Sequence, residues 1–99
     1  MQLSKNKTAD RVYKVVQSIP KGKVMSYKEV AMAAGIKNPR QIGRILHENP
    51  DPKTIPCHRV IHADGTVADG YAFGGPEKQI EMLKREGVVF VNNRAAGNN

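Results

Sequence analysis

Ser26-Tyr27-Lys28-Glu29-Val30-Ala31-Met32-Ala33-Ala34-Gly35-Ile36-Lys37-Asn38-Pro39-Arg40-Gln41-Ile42-Gly43-Arg44-Ile45-Leu46-His47 reads as two short helices separated by a few residues. Ser26 and Glu29 form a capping-box pattern, in which the hydroxyl accepts from the amide of Glu29 and the carboxylate reaches back to the amide of Ser26. Gly35 stops the first helix, because glycine adopts the left-handed conformation without a Cβ clash. Asn38 is a good N-cap and Pro39 suits a first helical position, so the second helix is expected to run to about Glu48, before Asn49-Pro50. The pair predicts a helix-turn-helix.

Within the second helix Ile42, Ile45 and Leu46 share one side, while Arg40, Arg44 and His47 lie at i, i+4 and i+7 on another. Such a cationic stripe is either a solvated charged face or a nucleic-acid surface. The charge of the chain favours the second reading: 16 Lys and Arg against 9 Asp and Glu give 99 residues a net charge of +7. That balance attracts a polyanion, nucleic acid or an anionic membrane surface, by an association that weakens with salt.

Upstream, Thr8 or Asp10 can cap a first helix carrying Val12, Val15, Val16 and Ile19 on one face and ending at Pro20-Lys21-Gly22. Downstream, Val60-Ile61, the turn residues Asp64-Gly65 and Val67 predict a short hairpin or wing, and residues 70–75 form a glycine-rich loop. A last helix is expected from Pro76 to Glu86 with Ile80 and Leu83 inward and Gly87 at its end. Val88 to Val91 is a candidate strand and 92–99 a flexible tail. Residues 1–99 thus read as one domain with its core over about 8–91, mainly α with a small β part: a small winged helix-turn-helix-like DNA-binding domain.

No apolar run is long enough to span a membrane, and Met1 to Lys7 is polar, without a signal-peptide centre. One cysteine cannot form an internal disulfide, and a free thiol persists best in a reducing compartment, so a soluble intracellular protein is expected. The glycine-rich loop has neither the P-loop lysine nor a dinucleotide pattern, so no cofactor is expected. His47, Cys57, His58 and His62 lack paired zinc-ligand spacing, so no metal is expected either.

The single cysteine lies in Thr54-Ile55-Pro56-Cys57-His58-Arg59. A thiol reacts as thiolate, and neighbouring His or Arg charge raises the thiolate fraction near neutrality. The same residue, flanked by apolar neighbours, also reads as a small core side chain. Tyr27 and Tyr71 read equally as core-edge residues, Asn49 as a turn cap before Pro50, and Arg59 as a loop support or a phosphate contact.

Ile55-Pro56-Cys57-His58-Arg59-Val60-Ile61 resembles the active-site segment of the O6-alkylguanine-DNA alkyltransferases. Ser26-Tyr27, Arg40-Gln41-Ile42-Gly43, Asn49-Pro50 and Gly70-Tyr71 with Gly74 match further family motifs in the family's order, over roughly residues 8 to 90. The resemblance implies a minor-groove helix-turn-helix that flips O6-alkylguanine out of duplex DNA and transfers its alkyl group irreversibly to Cys57. His58 would take the thiol proton through a water, Glu86 would orient His58, and Asn49 would brace the loop. Arg40 would fill the vacated base stack and Tyr27 would press on the target's 3′ phosphate, with Arg44 and Gly43 on the same DNA-facing helix. Tyr71, Ala72, Phe73, Pro56 and Val60 would line the base pocket.

The resemblance implies a compact single-domain form, because larger members carry a further amino-terminal domain. It also implies a second possibility: small alkyltransferase-like relatives bind the lesion without repairing it and direct it to nucleotide excision repair proteins. Many of those replace the cysteine, which is present here. The Cys57 to Tyr71 spacing is one residue longer than the family's, the next loop carries an extra residue, and Ala72 and Phe73 stand where other members have polar residues, Arg or Trp. The expected state is a monomer in the cytoplasm, at the nucleoid, or in a eukaryotic nucleus.

Overall fold

The computed structural model describes residues 7–67 and 73–96. Helix α1 spans Lys7–Gln17, strand β1 Met25–Ser26, helix α2 Tyr27–Ala34 and helix α3 Arg40–His47. A 3-10 turn over Cys57–Arg59 leads into strand β2, Val60–Ile61; helix α4, Gly75–Arg85, and strands β3, Val89–Val91, and β4, Arg94–Ala96, follow.

The helix-turn-helix forms as its caps dictate. Ser26 and Glu29 complete the reciprocal capping box, Gly35 takes a left-handed φ of 73°, and its amide closes on Met32. Asn38 Oδ1 accepts from the Arg40 amide at 3.0 Å and so caps α3, while Pro39 already has helical φ and ψ. Helix α1 is already formed at Lys7, so Thr8 and Asp10 lie inside it instead of capping it. It ends at Gln17, short of Pro20, whose missing N–H prevents continuation.

The three helices pack through Val12, Val16, Val30, Ala31, Ala34, Ile42 and Leu46, all buried, with Ile55, Cys57 and Val60 joining the same cluster from the downstream segment. Roughly 1.5–3 kcal/mol for each buried aliphatic side chain is what closes this core. A second cluster, Val24, Ile61, Val67, Leu83 and Val88, lies beneath α4 and the C-terminal strands.

Two expectations about β structure are corrected. The expected turn at Asp64-Gly65 forms, with the His62 amide donating to Thr66 O at 2.8 Å, but among the described residues β2 pairs in parallel with β1 and not with Val67 as a wing, Met25 beside Val60 and Ser26 beside Ile61. The chain between them, which includes α2 and α3, supplies the crossover that parallel pairing needs. The antiparallel hairpin instead joins β3 and β4, Val89 opposite Ala96 and Val91 opposite Arg94. Residues 92 to 96 are therefore not a loose tail. Asn92 and Asn93 have φ of 53° and 63°, as a two-residue hairpin turn of type I′ requires, and Asn tolerates that region. The hairpin is tied down by the Ala95 amide donating to Gly65 O at 2.8 Å.

Candidate active site

β1 and β2 are two residues each, yet their parallel register assembles the site. Tyr27 starts α2 directly after β1, and Cys57–Arg59 directly precede β2, so both ends of the crossover meet. Tyr27 comes level with His62, their ring centroids 5.1 Å apart and tilted by 43°. The Tyr27 phenol is pushed above its ordinary pKa, by burial first and then by negative charge at Cys57. The sulfur thus lies within electrostatic reach of that phenol.

Cys57 is 6% exposed and outside any disulfide. Its backbone is positioned from both sides. Upstream, buried Asn49 donates from Nδ2 to Ile55 O at 2.8 Å and accepts at Oδ1 from the Asp51 amide at 2.9 Å, closing the loop before the turn. Downstream, the Arg59 amide returns to Pro56 O at 2.9 Å.

His58 is buried, and its Nε2 lies 3.0 Å from Glu86 Oε2. The contact is short but angled, so that Nε2 has a charge partner without a linear hydrogen bond. Arg59 grips the same carboxylate with two hydrogen bonds, Nε to Oε1 at 2.9 Å and Nη2 to Oε2 at 2.7 Å, and its Nη1 donates to Ile19 O at 2.8 Å. Burial acts to raise the Glu86 pKa, but the hydrogen bonds from Arg59 and the close approach of His58 outweigh it and hold the carboxyl below its ordinary value. Glu86 is therefore an anion that faces the His58 ring.

A cleft of about 530 Å³ opens beside His58 and Glu86, with Pro56, Phe73 and Met82 among its apolar walls and Lys53 and Lys78 among its charged ones. Phe73 is 36% exposed there, whereas Val60 is wholly buried in the helical core behind the turn. Tyr71 and Ala72 lie outside the described residues. Arg40, Arg44 and His47 are exposed on α3, as the helical spacing predicts. Gly43 faces the Tyr27 ring: a Cβ there would sit 3.9 Å from Tyr27 Cε1. Among the described residues no group of three His, Cys, Asp or Glu side chains is arranged to hold a metal ion.

Three contributors escaped the sequence reading: Gln79, buried against the turn; His62, whose ring meets Tyr27; and Arg59 as the clamp on Glu86. Gln79 had a visible signal, since a polar residue four positions before Leu83 falls on the inward face of α4.

A helix-turn-helix with an exposed cationic second helix, backed by buried Cys57 and His58 and the partly buried Glu86, defines a DNA-binding domain with a cysteine held in a fixed turn. The chain belongs to the family of the 6-O-methylguanine DNA methyltransferase DNA-binding domain, whose model matches residues 7–88. A methylated-DNA--protein-cysteine methyltransferase of Methanothermobacter thermautotrophicus is 49% identical over 78 residues, 79% of this chain and 43% of that protein. One from Saccharolobus islandicus is 46% identical over 77 residues, 78% of this chain and 48% of that protein. The chain thus spans about half the length of these curated relatives.

Among solved structures, the Mycobacterium tuberculosis OGT in complex with DNA superposes with a TM-score of 0.78 at 35% identity, covering 86% of this chain and 51% of that one. An S. pombe protein in complex with damaged DNA containing O6-carboxymethylguanine superposes at 0.75 with 33% identity, covering 92% and 83%. No helix among the described residues is long and apolar enough to cross a membrane.

Proposed function

We propose that this chain repairs duplex DNA by taking the alkyl group of O6-alkylguanine onto Cys57. The carrying observation is the single cysteine held in a buried turn beside His58, whose ring lies 3.0 Å from a carboxylate kept anionic by Arg59. His58 accepts the thiol proton through a water, and Glu86 stabilises the resulting imidazolium. The sulfur–carbon bond forms as the O6–carbon bond breaks, the electron pair goes to the guanine, and the guanine takes up a proton. The thioether is not reversed, so one molecule repairs one lesion and needs no cofactor.

Arg40 at the start of α3 enters the base stack in place of the flipped nucleotide, while Arg44 and the close-approach face at Gly43 follow the backbone. Tyr27 drives rotation at the 3′ phosphate. Asn49 braces the loop, and Pro56, Phe73, Tyr71 and Ala72 border the base and its alkyl group, with Val60 supporting them from the core. A DNA partner places the protein, as a monomer on its substrate, in the cytoplasm at the nucleoid or in a nucleus.

The test is intact-protein mass spectrometry after incubation with duplex DNA bearing one O6-methylguanine, beside Cys57→Ala. A gain of one methyl group located at Cys57 is expected. A stable complex with no mass gain would instead establish a lesion sensor that hands the site to nucleotide excision repair proteins. That second reading is supported by the similarity to an S. pombe ATL solved with DNA, which the chain matches over 89% of its length at a TM-score of 0.73.

A further inference from the structure

Gln79 is fully buried on α4 and points its amide at the cysteine turn. Nε2 donates to His58 O at 2.9 Å and to Val60 O at 3.1 Å, the two carbonyls that bracket Arg59. A 3-10 turn of three residues has few backbone bonds of its own, and their geometry is poor, so what grips it from outside sets its shape. An inward position on an amphipathic helix ordinarily takes an apolar side chain; an amide there costs about 1–3 kcal/mol unless its bonds are made. Here they are made to the reactive segment.

Glu86 follows seven residues after Gln79, about two helical turns on, so one helix and its cap hold His58 at both ends: Gln79 takes the backbone carbonyl and Glu86 faces the ring. We infer that Gln79 is a positioning residue for the cysteine turn, fixing the angle at which His58 is presented to Cys57 and Glu86. Where alkyl transfer is the readout this rests on the proposed function, so a readout independent of DNA is paired with it.

The variants are Gln79→Leu, which keeps the bulk and removes both amide donors, and Gln79→Lys, whose ammonium donates to both carbonyls. Iodoacetamide capture of Cys57 without DNA is followed against pH, and single-turnover methyl transfer is followed at saturating lesion duplex. Gln79→Leu is expected to shift the pH profile of capture and to slow transfer about tenfold or more, the scale of a misplaced reacting group. Duplex affinity, measured with Cys57→Ala present in each protein, should stay within about threefold. Gln79→Lys, a donor again, should restore methyl transfer, while its buried cation moves the capture profile to lower pH.

An unchanged pH profile with transfer and affinity falling in parallel, or a folded Gln79→Lys as slow as Gln79→Leu, overturns the assignment. If Gln79→Leu does not fold, Gln79→Met, a flexible side chain of similar size and no donor, takes its place. A wild type that captures iodoacetamide but accepts no methyl group would refute alkyl transfer, and the capture profiles would still decide the role of Gln79.

Discussion

At the residue scale, the charge on Glu86 organises the site. Its folded pKa lies below the ordinary value of 4.5, so the stability it contributes is fully present above that value and is lost as pH falls through the depressed folded one. Glu86→Gln should therefore flatten the loss of stability between about pH 4.5 and acid unfolding, read by denaturant titration across pH. At neutral pH the same change should cost on the order of 1.5–3 kcal/mol, because two charge-assisted bonds to Arg59 are weakened. It should also slow methyl transfer by roughly 10²–10⁴, the scale of general-base contributions. Arg40→Ala belongs here too: lesion affinity should fall by more than a single phosphate contact explains, since the vacated stack stays unfilled, and competition against undamaged duplex measures the difference. Tyr27→Phe keeps the ring that packs near Gly43 and His62 and removes the hydroxyl. Methyl transfer should slow while thermal stability barely moves; the reverse pattern would make Tyr27 structural.

At the scale of elements, the helices follow from local chemistry, and the paired strands do not. The capping box of α2, the left-handed Gly35 and the amphipathic face of α3 are each written within a few consecutive residues. The parallel pair β1–β2 joins segments 35 positions apart, and no pattern in two-residue strands announces a partner. The hairpin β3–β4 was missed for a different reason: Arg94-Ala95-Ala96 has weak β-propensity, so its turn at Asn92-Asn93 was the remaining signal. Gly65 is where this hairpin meets the segment after β2. Its φ is 91°, and a Cβ would lie 2.9 Å from Ala95 O. Gly65→Ala should cost about 1–3 kcal/mol, and hydrogen exchange should show β3–β4 loosened, because the nearest atoms are the Ala95 backbone and the Arg94 Cβ, none of them the far end of a flexible side chain.

At the scale of the molecule, the excess of positive charge and the exposed Arg40, Arg44 and His47 predict DNA association that weakens steeply with salt. Replacing Arg44 with Ala should lower the slope of log affinity against log salt by about 1, with little change in preference for the lesion. A slope left unchanged would place α3 away from the phosphates. Contiguous residues and helical spacing encode the helix-turn-helix, its cationic face, and the nucleophile candidate Cys57 with its neighbours His58 and Arg59. The tertiary structure decided that Glu86 reaches His58 and Arg59, that Gln79 clamps the turn from α4, and that Tyr27 lies within electrostatic reach of Cys57. Those relations join residues 21 to 30 positions apart. They depend on how the α1–α3 core, the β1–β2 pairing and α4 pack together, which no local pattern specifies.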